Sequence, residues 1–262
     1  MREWITGRNP IYELLLARRR QVFRLLVADG VQVKGRLAQI VQLAISQKLQ
    51  IETVSRSHLD RLGQGHQGVA LEAGPFSYAN LEDILDLAAA RQELPFILIL
   101  DTLQDPQNLG TLLRTSEATG VHGVVLPLRR AATVTPAVVQ ASSGASEHLI
   151  IVQVNLAQAI SALKERGVWI VGLEGDSQAE EFGKVRLDGS LALVVGNEGE
   201  GMRRLVRDSC DIVMRLPMRG RVASLNAAVA GSVALYLAWQ ARSFSGSVDP
   251  PPASPGSASL QP

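Results

Sequence analysis

Apolar positions in this chain follow two rhythms. Short runs of four to six largely apolar residues, the length of a buried strand, fall at 23–28, 51–54, 68–73, 95–100, 121–126, 150–154, 168–173, 191–195 and 212–216. Between them the apolar residues recur at helical spacing. Leu37, Ile40, Val41, Ala44 and Ile45 mark a helix that ends near Lys48, and residues 11–18, 80–92, 136–139 and 156–166 read the same way. Asn9 and Pro10 are placed as cap and first helical position, Ser57 caps a short helix, and the helix after Asp101 stops at Gly120. Strands alternating with helices predict α/β units with a mostly parallel sheet covered on both faces.

The pattern divides the chain. Residues 1–75 form a compact α/β unit, 76–93 a linker with a connecting helix, and 94–242 a larger α/β domain. From Ser243 the composition turns to Ser, Pro and Gly, with Pro250, Pro251 and Pro252 in a row, and this 243–262 tail is expected to be disordered.

The segment 191–238 organises the larger domain. A strand runs into Gly196, Gly199 and Gly201, whose glycines free the backbone for close approach to a ligand. A second strand ends at Pro217, Arg219 to Arg221 follow, and Ser224 stands where an N-cap belongs ahead of a long apolar helix from Leu225. Two polar loops at the C-terminal ends of neighbouring strands make a binding crevice. The glycine spacing fits neither a phosphate-cradling loop nor a dinucleotide fingerprint, so the turn alone does not name its ligand.

Charge refines the division. The net charge is +1, but residues 1–75 hold eleven Lys/Arg against six Asp/Glu, and the remainder fifteen against nineteen. The basic N-terminal unit, with Arg8 and the run Arg18, Arg19 and Arg20, suits contact with RNA phosphates; a solvated helix end is the plain alternative for the run. His66, in a polar loop, could touch RNA or do nothing special. A single cysteine, Cys210, excludes a disulfide within the chain, and His58, His66, His122 and His148 have no ligand spacing, so no metal is expected. No apolar run approaches a membrane span and the first residues lack a signal core, which gives the expectation of a cytoplasmic protein without membrane contact.

Three blocks stand in series: LDTLQDPQNLGTLLRTSEATGV from Leu100, LALVVGNEGEGM from Leu191 and MRLPMRGRVASLNAAVAGSVALYL from Met214. Together they resemble the three signature motifs of the SpoU (TrmH) branch of the SPOUT RNA methyltransferases. GRNPIYELL and GHQGVAL are similar to the ribosomal-protein-like substrate-binding domain of the subgroup that methylates the 2'-oxygen of a guanosine in 23S rRNA, and TPAVVQASSGASEHL also fits that subgroup. The resemblance implies a small RNA-binding domain followed by a SPOUT domain with a C-terminal trefoil knot, a homodimer, S-adenosylmethionine as methyl donor, and 23S rRNA or an assembling large ribosomal subunit as partner, with the peptidyl-transferase region as target. Carried over by motif, the cofactor contacts fall on Gly196, Leu216 and Leu225, and the catalytic set on Arg114, Asn108, Glu198, Ser224 and Asn226.

The chemistry suits such residues. A ribose hydroxyl must lose its proton and be held in line with a methyl carbon on a sulfonium. Arg114 either assists that proton or, more simply for a cation, orients a phosphate; the polar neighbours offer hydrogen bonds that orient Arg114 or the ribose. Plainer roles stand beside these: Asn108 and Ser224 as helix caps, Glu198 as a complement to a helix dipole, Arg114 as a surface partner of Glu117. Two other functions remain open, a tRNA ribose 2'-O-methyltransferase and a catalytically silent RNA-binding ribosome-assembly factor.

Overall fold

The computed structural model describes residues 2–129, 131–176, 178–197, 199, 201–222 and 224–248. The expectations for Glu198 and for disorder beyond residue 248 lie outside the described residues.

The first unit contains β1 (Glu3–Thr6), α1 (Arg8–Ala17), β2 (Val22–Ala28), α2 (Arg36–Ser46), β3 (Gln50–Val54), α3 (Arg56–Leu62) and β4 (Val69–Ala73). Its four strands lie in the order β1-β4-β2-β3, with β2 and β3 parallel and the other pairs antiparallel. Successive side chains of a strand point to opposite faces, so Leu25 packs in a core with Leu14 of α1 and Leu37 and Ile40 of α2, while Leu26 packs with Leu59 of α3. Two local expectations are corrected. Gly7, with φ of 94°, precedes α1 in place of Asn9, and Ser55 precedes α3 in place of Ser57. His66 is buried, its Nδ1 accepting from the Gly68 amide at 3.0 Å and its Nε2 3.0 Å from Asp60 Oδ1, so it braces its own turn.

The second unit contains α4 (Leu81–Arg91), β5 (Phe96–Leu100), α5 (Pro106–Ala118), β6 (Gly123–Pro127), α6 (Pro136–Ala141), β7 (Ile150–Val154), α7 (Leu156–Glu165), β8 (Trp169–Leu173), β9 (Glu180–Glu181), β10 (Leu191–Val195), α8 (Arg204–Asp208), β11 (Ile212–Arg215) and α9 (Ala227–Ala241). The sheet order is β7-β6-β5-β10-β8-β11-β9 and every pair is parallel. Residues of β5, β6 and β10 are buried throughout, as strands covered on both faces must be. Leu112 and Leu113 of α5 and Leu235 of α9 belong to the core on one face; Ile84 of α4 and Ile160 and Leu163 of α7 belong to that on the other. Because all strands run one way, their C-terminal ends share one edge of the sheet. Two caps differ from expectation. Asp105, accepting from the Gln107 amide at 3.0 Å, caps α5, and Asn226 caps α9, so neither Asn108 nor Ser224 does so. After α9 the chain makes a turn, with Trp239 donating to the Ser245 carbonyl at 2.9 Å and meeting the Phe244 ring edge-on, and residues 243–248 are exposed.

A buried ion pair joins the two units. Arg20 Nε donates to Glu147 Oε2 at 3.0 Å, and Nη2 lies 2.8 Å from Oε1 in a contact bent away from hydrogen-bond alignment. Nη1 reaches Glu3 at 3.2 Å, and the guanidinium stacks over Phe76 at 4.9 Å. Burial pushes the Glu147 carboxyl above the ordinary carboxylate range, with Arg20 opposing the shift. Beside it His148 Nε2 lies 2.9 Å from Glu13 Oε2, and Arg19 donates to the Leu149 carbonyl. This overturns the RNA-binding expectation for Arg20: its side chain is 1 % exposed and taken up by carboxylates of the protein itself. Replacing Arg20 by Ala is expected to cost about 3–5 kcal/mol in urea unfolding, because Glu147 is left buried without its partner. The same change at Arg186, whose pair with Asp188 is exposed and screened by solvent, should leave the unfolding midpoint close to that of the parent. Equal effects would contradict the assignment of Arg20 as a structural lock.

Candidate active site

The site lies at the C-terminal edge of the larger sheet, where β8, β10 and β11 end side by side. Their last residues lead into Glu174, Gly196 and Leu216, and all three line a cavity of about 680 Å³. The loop after β10 is pinched shut on itself. Asn197 and Gly201 exchange backbone hydrogen bonds of 3.0 and 3.1 Å, and a Cβ built on Gly196 would fall 2.3 Å from the Gly201 carbonyl carbon and 2.4 Å from the Met202 nitrogen. Glycine at 196 is thus demanded by the protein's own backbone, before any ligand is considered.

The cavity is two-sided. Leu216, Leu225, Ala227 and Ala230 give it an apolar wall, and Glu174 and Asp176 give it carboxylates. Arg207 holds both acids, with Nε 2.7 Å from Glu174 and Nη2 2.6 Å from Asp176. An adenosyl group needs such an apolar wall, and ribose hydroxyls and a sulfonium find acceptors and negative charge opposite it, so the lining fits S-adenosylmethionine. Cys210 beneath the loop is no nucleophile, since burial pushes its thiol up to about 12.

Four of the residues singled out by motif meet here: Gly196, Leu216, Leu225 and Ser224 all line the cavity. Asn226, next along the chain, donates to Asn108 Oδ1 at 3.2 Å while its own Oδ1 accepts the Ala228 and Val229 amides. The amide pair links the start of α9 to the first turn of α5. Arg114 is not among the described lining residues. It is exposed on α5, its Nη1 donating to Ser143 Oγ at 3.3 Å, and Glu117 is not its partner in that bond. In the first unit Arg8 binds Gln67 through its amide and Nε, Arg18 is exposed at the end of α1, and Arg19 is exposed though tied to Leu149. Two features escaped the motif reading: the Glu174–Arg207–Asp176 cluster, and Asp101, which is fully buried and binds Arg203. A carboxylate directly ending an apolar strand was the available signal for Asp101.

A second cavity of about 710 Å³ lies at the opposite edge, near Phe96 and His122. Its central cation, Arg242, donates to the carbonyls of Pro95, Leu187 and Gly189, and burial brings its pKa down to about 10. That guanidinium stitches α9 to the starts of β5 and β10, which leaves the C-terminal edge as the better candidate site. Among the described residues no group of three or more His, Cys, Asp or Glu could hold a metal ion, and no helix is long and apolar enough to cross a membrane.

Comparison with known proteins decides the family. Residues 95–236 match the SpoU rRNA methylase family, and residues 4–79 match the RNA 2'-O ribose methyltransferase substrate-binding domain. The chain belongs to the SpoU family of RNA methyltransferases. The SpoU chain is 42% identical over 242 residues to a Bacillus subtilis protein named "Putative TrmH family tRNA/rRNA methyltransferase YacO", covering 92% of this chain and 96% of that one. Its fold matches an AdoMet-bound rRNA methyltransferase from Sinorhizobium meliloti with a TM-score of 0.73 at 20% identity, over 91% of this chain and 87% of that one. A TrmH/SpoU tRNA modifying enzyme from A. aeolicus matches over 63% of this chain and 84% of its own, with a TM-score of 0.53 and 25% identity. This SpoU enzyme is thus an RNA ribose 2'-O-methyltransferase.

Substituting Gly196 by Ala is expected to weaken S-adenosylmethionine binding by more than about tenfold in calorimetry, since the loop must open to admit the methyl group. An affinity within twofold of the parent would show that this loop does not shape the donor site.

Proposed function

We propose that this enzyme methylates the 2'-oxygen of a guanosine in 23S rRNA, with residues 1–75 presenting the RNA and residues 94–242 transferring the methyl group. The observation that carries the choice of rRNA is the N-terminal unit. The rRNA methyltransferase from S. meliloti spans nearly the whole chain, whereas the tRNA modifying enzyme from A. aeolicus covers only part of it. The unit is also fixed to the catalytic domain by the buried Arg20–Glu147 pair, so RNA bound to Arg8, Arg18 and Arg19 would be held in one register with the site. The tRNA reading keeps a footing in the B. subtilis relative, whose name gives both RNAs.

Gly196, Leu216 and Leu225 would hold S-adenosylmethionine, which supplies an electrophilic methyl on a sulfonium when bound. Ser224 at the cavity wall and the Asn108–Asn226 pair beside it offer hydrogen bonds to the ribose. Glu198 is retained in the catalytic set on motif alone. Arg114 belongs to the reaction in a homodimer, where it serves the cavity of the partner protomer: it is exposed and does not line its own. The exposed Val229, Val233 and Tyr236, one helical face of α9 adjoining Leu225, give such a dimer an apolar surface. The C-terminal trefoil knot of the family is proposed with it.

With tritiated S-adenosylmethionine, 23S rRNA should be labelled and tRNA should not. Arg114→Ala should abolish labelling with the donor affinity unchanged. Mixing Arg114→Ala with Gly196→Ala, at a donor concentration too low for Gly196→Ala alone to label, should restore labelling, because one mixed-dimer site is then complete. Labelling of tRNA in place of rRNA would refute the substrate, and no recovery on mixing would refute the shared site.

A further inference from the structure

The C-terminal end of β5 carries a group for which the reaction outlined above has no use. Asp101 is 0 % exposed, yet its carboxylate lies among apolar strands. Oδ2 accepts the Arg203 backbone N–H at 2.8 Å, and Oδ1 accepts Arg203 Nε at 2.7 Å with Nη2 also 2.7 Å away. On its other side the Asp101 amide donates to the Val195 carbonyl at 2.8 Å. Residue 101 therefore grips the chain on both flanks of the segment after β10, at Val195, the last residue of that strand, and at Arg203.

Burying a carboxylate is costly, and among the described residues its compensation comes from Arg203, whose side chain is 45 % exposed. A pair made only to stabilise the fold could sit anywhere in the core. This one closes the ends of the segment whose residues Gly196, Asn197, Gly199 and Gly201 line the donor cavity. The same residue begins the segment 101–108, since Thr102 donates to the Asp101 carbonyl at 2.8 Å and adopts φ of 59° on the way to α5 and Asn108.

We propose that Asp101 is a positioning residue for the methyl donor, acting through Arg203 to hold the loop 196–202 in its binding shape. Without the pair the loop keeps its self-bridge at Asn197 and Gly201 but loses its fixed distance from Leu216 and Leu225. Donor binding then bears the cost of ordering it. The inference rests on the reading that this cavity holds S-adenosylmethionine.

The test is calorimetry of S-adenosylmethionine on the full-length protein carrying Asp101→Asn, Arg203→Leu or both, with RNA affinity and urea unfolding measured alongside. Each single variant should weaken donor binding by about tenfold, the double variant no more than the weaker single, and RNA affinity should stay as in the parent. Asp101→Asn removes the buried charge and keeps the side-chain shape, so it remains informative if Arg203→Leu, which leaves that charge without its partner, fails to fold. A folded Arg203→Leu protein that binds the donor as the parent does would overturn the proposal, as would additive losses in the double variant. Gly196→Ala separates the two levels. Donor binding lost there but kept in Arg203→Leu sinks this inference alone, and binding kept in both sinks the cavity assignment.

Discussion

Backbone touches backbone at residues 196 and 201, and the rest of the site is arranged around that contact. A loop can close so tightly only if its first residue has no side chain, and it can do so at this place only because β10 lies between β5 and β8. The central position puts the loop where three parallel strands end together, so its neighbours are the carboxylates after β8 and the apolar residues after β11. In an open α/β sheet that edge is where a ligand finds both backbone polar groups and a crevice. The contact thus turns a generic fold edge into a shaped cavity.

The second constraint is the buried seam between the units. Arg20 and Glu147 are held away from water beside the partly exposed Glu3, and Gly144, with φ of +90° and its Cβ position 2.7 Å from Glu13 Cβ, lets the turn after α6 press against α1. Ser143 of that same turn receives Arg114. A residue proposed for the reaction therefore touches the turn that fixes the first unit to the second, and under that proposal substrate placement and reaction geometry share one piece of structure. Domains joined by a small polar interface move relative to one another, whereas a desolvated ion pair at the seam resists it.

Much of this was legible in the sequence, for particular reasons. Strands β5, β6, β7, β8 and β10 are buried on both faces or nearly so, and their continuous apolar runs declare them. The short β1 and the two-residue β9 carry no such run and exist only because a partner edge is available to pair. Capping residues were misplaced by two positions at α1, α3 and α9, because several candidate residues compete before each helix and tertiary contacts choose among them. In the site, Gly196, Leu216, Ser224 and Leu225 follow from motif order, and the structure brings them to one cavity. Arg20 could not be read correctly: its run with Arg18 and Arg19 looks like a solvated basic patch, and only the fold reveals Glu147, far along the chain, as its partner. Asp101 and Arg203 are distant in the chain for the same reason.

The claim that most else depends on is the location of the methyl donor. A crystal structure of the protein with S-adenosylhomocysteine tests it directly. The account predicts density for the adenosyl group between Gly196–Gly201 and Leu216–Leu225, with the loop 196–202 closed as described. Density confined to the opposite cavity, beside Trp239 and Arg242, would contradict it.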